Sequence, residues 1–139
     1  MKKPFQIYKQ QKRVGWTRVD MLIALYDAGI RNIRQCREAM SEGNPSQTQQ
    51  HRLHALRIIL EIQAGLDSKY GEVPNNIARL CDFCSHALLH GDSTQLATAE
   101  HVLQTVRDGF AGIRDEAAAL EMEGQIPPLA DANYVHTTV

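Results

Sequence analysis

The chain has 139 residues, 43% of them apolar and 22% charged; that size and mix fit one globular domain with a single core and exclude a disordered tract. No apolar run approaches the roughly 20 residues of a membrane span, so membrane insertion is not expected. With 15 basic and 16 acidic side chains and a net charge of -1, the chain lacks the clustered positive charge of a nucleic-acid footprint, and no nucleic acid is expected as partner.

Residues 1–16 read as an N-terminal arm. Lys2, Lys3, Lys9, Lys12 and Arg13 make it basic, but no apolar stretch follows as in a signal peptide, and a solubilising segment on a cytoplasmic protein is the expectation. Thr17 then caps a first helix, with Asp20 three residues on as an acidic capping box and Trp16 placed to staple against Met21. Leu22, Leu25, Tyr26, Gly29, Ile33, Cys36 and Met40 recur at threes and fours, which predicts one apolar face. Gly29 reads two ways, as a place of close approach for a neighbour or a bound peptide, or as a tolerated glycine.

Gly43 ends this helix. Asn44 caps a second one, with Pro45 in its first turn and Gln47 at capping-box spacing. It runs to about Ser68 with a main stripe of Leu53, Leu56, Ile59 or Leu60, Gln63 and Leu66. Ile58 and Ile62 widen that stripe, which means either a helix between neighbours or a spare face for a ligand. Gly71 and Pro74 mark a turn. A third helix spans Pro74 to Leu89 on Ile77, Leu80, Cys81, Cys84 and Leu88. Gly91 closes it, and Asp92 or Ser93 caps a fourth. There Leu96, Ala99, Leu103, Val106, Phe110, Ile113, Ala117 and Leu120 make a heptad seam of more than three repeats. Gly124 and the Pro127–Pro128 pair stop it, leaving residues 124–139 as a flexible tail. The pattern predicts an all-α, antiparallel, up-and-down four-helix bundle over residues 17–123. A monomer is expected, or a weak homodimer where the long seam is left partly uncovered.

Chemistry is hard to place on this pattern. Cys81 and Cys84 form a C-x-x-C pair on the apolar stripe, while His86 and His90 each project roughly 120° or more around the helix from both, so one helix cannot gather all four around an ion. His51 and His54 lack the H-E-x-x-H spacing. Asp115, Glu116, Glu121 and Glu123 look solvated, and neither a phosphate loop nor a nucleophile elbow is present. Three cysteines, an odd number, fit reduced thiols in a core. No enzyme, metal site or cofactor is expected.

Around the first helix, Tyr8, Val14, Thr17 and the run Leu25, Tyr26, Asp27, Ala28 resemble the signature of the flagellar secretion chaperones that escort flagellin. Leu66, Asp67, Gly71, Val73, Asn76 and Ile77 resemble that family's hinge between its second and third helices. The similarity covers about residues 8 to 115. It departs at Trp16–Val19, where the family places a Pro, at Ala28 in place of Gly, and in the Pro-containing tail. The resemblance implies a cytoplasmic chaperone with no cofactor. It would bind the C-terminal segment of flagellin, hold it helical and unpolymerised, and pass it to the export machinery, with other flagellar export components as further partners. It also implies that the partner fills apolar grooves between helices. The candidate contacts are Tyr8 and Tyr26 as amphipathic anchors, Asp27 at a groove rim, and Ile30, Ile33, Ile58, Ile62 and Leu66 as groove liners. A helical adaptor of the same fold with a different protein partner is the alternative.

Overall fold

A computed structural model describes residues 17–124. The arm, with Tyr8 and Trp16, and residues 125–139 lie outside the described residues. The described chain forms α1 (Arg18–Ser41), α2 (Pro45–Ala64), a 3-10 turn (Ser68–Tyr70), α3 (Glu72–His90), α4 (Ser93–Gly112) and α5 (Arg114–Met122). It is all-α, with no strand among the described residues. The helices form a bundle in which α1 packs on α2 and α4, α3 packs on the same two helices, and α5 lies against α1.

The caps follow the sequence closely. The Asp20 backbone N–H donates to Thr17 Oγ1 at 3.3 Å and the Thr17 N–H donates to Asp20 Oδ2 at 3.1 Å, so both halves of the first capping box are present. Asn44 accepts from the Gln47 N–H, and Asp92 and Gln95 form a second reciprocal box with both bonds at 3.0 Å. Gly43 adopts φ 67, which lets the Asn44 N–H reach back to the Ala39 carbonyl at 3.0 Å and closes α1 with a Schellman turn.

Three boundaries differ from the sequence reading. α2 stops at Ala64 rather than near Ser68, because Asp67 organises its own turn: its carboxylate accepts from the Lys69 N–H and its carbonyl from the Tyr70 N–H, both at 3.1 Å. α3 starts at Glu72, two residues before Pro74, since a proline in a first turn gives up no helical hydrogen bond. The expected fourth helix divides at Ile113 into α4 and α5. Gly109 and Gly112 weaken the helix there, and the Ile113 N–H turns to the Phe110 carbonyl, three residues back, at 3.2 Å. The heptad seam is therefore interrupted before Ala117 and Leu120.

Side-chain contacts set the register. As α1 is followed forward, its partners on α5 and α4 run backward. Asp20 pairs with Arg114, Asp27 with Arg107 at 2.8 Å, and Arg34 and Arg37 with Glu100 at 3.0 Å each. α1 and α4 thus run in opposite directions, clasped by ion pairs whose polarity reverses midway. On the other side of the bundle, Arg52 donates to the Leu88 carbonyl, and Gln63 donates to Asp82 at 2.9 Å. α2 and α3 are opposed in the same way.

The core is centred on α1, which buries Met21, Leu25, Tyr26, Ile30, Ile33 and Cys36. Gly29 resolves toward close approach: a Cβ there would lie 3.4 Å from both Ile58 Cγ2 and Leu103 Cδ1, where α1 passes between α2 and α4. The stripe of α2 is turned relative to expectation. Ala55, Ile58, Ile59 and Ile62 are buried, whereas Leu53 and Leu60 are 53% and 55% exposed. Most positions from Leu53 to Ala64 are apolar, so periodicity alone leaves the inward sector of this helix open. The close approach at Gly29 selects the Ile58 side.

Candidate partner-binding site

The sequence candidates separate by depth. Tyr26, Ile30, Ile33, Ile58 and Ile62 all belong to one buried cluster, and Leu66 packs against its edge. Tyr26 is 1% exposed. Its ring centroid lies 5.7 Å from that of Phe110 on α4. Burial, followed by the neighbouring Cys81 and Cys84 thiols on α3, pushes its hydroxyl well above the usual tyrosine range. Tyr26 thus ties three helices together from inside and supports Phe110 from behind. Asp27, the next residue, points outward and is held by Arg107, whose guanidinium is in turn favoured in its charged form by that hydrogen bond. Tyr8 lies outside the described residues.

The three thiols are buried and free. Burial first, then the adjacent Asp82 carboxylate, pushes Cys81 up to about 12; burial and then Cys81 do the same to Cys84. They are core side chains. Among the described residues no group of three His, Cys, Asp or Glu side chains is arranged to hold a metal ion. Glu121, expected to be solvated, accepts from the Arg18 backbone N–H at 3.2 Å and fastens α5 to the start of α1.

One flank of α3, outside the sequence candidates, turns toward α4. The Cys84 thiol donates to the Ala99 carbonyl at 3.8 Å and marks where these helices touch. Leu80, one turn before Cys84, is 37% exposed, and Phe83 on the same flank is 40% exposed. Across from them Val102 and Val106 pack only partly against the core, and Ile113 is exposed. α4 therefore has two unlike edges. Its α1 edge is closed by Arg–carboxylate pairs, and its α3 edge is apolar and partly open. The signal was present in sequence: Phe83 lies off the Ile77–Cys81–Cys84–Leu88 stripe, where a core assignment leaves it unexplained.

A polar clasp on one side and a partly open apolar seam on the other make a surface suited to taking up another protein segment. A family model described as "Flagellar protein FliS" matches residues 1–117. The chain belongs to this family. FliS proteins are non-catalytic cytoplasmic chaperones that bind flagellin. The FliS match takes in α1 to α4 and the first residues of α5, and it reaches further toward the N-terminus than the signature residues beginning at Tyr8. No curated protein matches the sequence. No helix of the described residues is long and apolar enough to cross a membrane.

Proposed function

We propose that this chain binds the C-terminal segment of flagellin, keeps it helical and unable to polymerise, and hands it to the flagellar export apparatus. The observation that supports this reading is the apolar α3–α4 flank of Leu80, Phe83, Val102, Val106 and Ile113. An amphipathic helix laid in such a seam buries its own apolar face there, which offsets the entropy of ordering a disordered segment. In this proposal residues 17–123 act as an up-and-down four-helix unit extended by α5, with residues 1–16 as an arm and 124–139 as a tail. Tyr8, Asp27 and Leu66 are direct-contact candidates. Tyr26, Ile30, Ile33, Ile58 and Ile62 act from behind, by holding the helices that present the flank.

Titration calorimetry with the C-terminal peptide of the host's flagellin, together with circular dichroism of the mixture, tests the proposal. Binding with a gain of helix is expected. Phe83→Ser and Leu80→Ser are each expected to weaken it by about 1 kcal/mol or more while leaving the spectrum of the free protein unchanged. Absence of binding heat at peptide concentrations on the order of 50 μM would sink the flagellin reading. Undiminished binding by both variants would move the site off this flank.

A further inference from the structure

The exposed side of α3 carries a second feature that the flagellin contacts proposed above leave out. His86 and His90 sit one turn apart, both exposed, with ring centroids 5.1 Å apart and planes inclined at 57°. Spacing of i and i+4 places two imidazoles on one helix face, the arrangement by which helical His pairs hold zinc. The rings are already side by side on a rigid element, so chelation needs only small side-chain rotations rather than backbone movement. Asp82, a turn earlier on α3, is engaged by the Gln63 amide at 2.9 Å. No third His, Cys, Asp or Glu among the described residues joins the pair, which leaves the remaining coordination positions to water.

We propose that His86 and His90 form a surface chelate site for a divalent first-row transition cation of the kind that favours imidazole, namely Zn2+, Ni2+ or Cu2+. The cation bridges two successive turns at the end of α3, where His90 is the last helical residue. Because it binds the formed helix and not the unfolded chain, it stabilises that end of the bundle. Helical spacing puts the pair on the same side of α3 as Phe83, three and seven residues on. The site therefore borders the apolar flank.

The test is a calorimetric titration of the full-length, untagged protein with ZnCl2 and with NiCl2 under reducing conditions, paired with thermal melts. One cation bound per chain and an upward shift in Tm are expected. His86→Gln and His90→Gln are each expected to lose the binding and the Tm shift, whereas His54→Gln keeps both. His86 and His90 are exposed and His54 is partly so, and circular dichroism of the metal-free variants checks that each folds as the parent does. Absence of binding by the parent protein overturns the proposal. So does binding that survives His86→Gln, or binding that is lost in His54→Gln, since either assigns the cation to other ligands.

Discussion

Single positions in this bundle are decided by what lies within one or two bond lengths of them. A Cβ at Gly91 would sit 2.5 Å from the Ala87 carbonyl oxygen, a backbone atom that cannot step aside. Gly91→Ala is expected to destabilise by about 1–3 kcal/mol in urea denaturation. Gly109, inside α4 with nothing within 4 Å of such a Cβ, should respond with the opposite sign, and Gly109→Ala is expected to gain up to about 1 kcal/mol. Titration gives a second pair of expectations. Partial burial pushes the Asp20 carboxyl up, but hydrogen bonds from Arg114 and Thr17 outweigh it and hold the group below its usual value. Its stabilising contribution is therefore complete above the ordinary carboxylate range of about 3.9 and is lost as pH falls through the lower folded value. Asp20→Asn should flatten the acid limb of a pH–stability curve. For Cys81 and Cys84, raised to about 12, the sign reverses. Stability is full below the ordinary thiol value of about 8.5 and declines as pH rises toward the folded one. Labelling by a thiol reagent at neutral pH should proceed at the rate of opening, and both sites should react together.

At the scale of helices, caps carry the start positions. Thr17→Ala removes one half of a reciprocal box and is expected to cost about 1 kcal/mol, read as a lower midpoint in thermal melts. Attachment is uneven. α1 buries ten residues, whereas α3 buries Ile77, Cys81, Cys84, Ala87 and Leu88, three of them small, and Gly71 gives it no side-chain cap. Hydrogen exchange should therefore release α3 before α1. The caps at Thr17, Asn44 and Asp92 and the stop at Gly43 were legible in sequence because capping is local chemistry. The inward face of α2 was not, because apolar side chains wrap too much of it and the deciding contact, Ile58 on Gly29, is far away in sequence. The break at Ile113 was hidden for the opposite reason. The heptad pattern runs through it, and only the weak propensity of Gly109 and Gly112 hinted that the helix would yield. The candidate site was legible as a class of surface, a protein-binding bundle, while five of its eight named residues lie in the core. Periodicity identifies apolar residues without telling core from groove, whereas Phe83, off the stripe of α3, is an apolar residue whose exposure the pattern does signal.

Over the whole molecule, the ion pairs that join α1 to α4 and α5 fix one alignment. Their polarity changes along the seam, acid on α1 at Asp20 and Asp27, base on α1 at Arg34 and Arg37. A parallel pairing or a slipped register sets like charges together, so these exposed pairs, each contributing at most about 1 kcal/mol, select the topology more than they stabilise it. Reversing one pair, Asp27→Arg with Arg107→Asp, should restore most of the stability lost in either single variant, measured as a double-mutant cycle. The bond from the Arg18 N–H to Glu121 has a consequence of another kind. It brings the first and last helices of the described chain to within a side chain's length of each other, so the backbone is nearly a closed loop. Such a loop tolerates being opened elsewhere: a circular permutant that joins residues 17 and 124 through a short glycine-rich bridge and begins anew at the exposed Gly43–Asn44 turn should keep the same core.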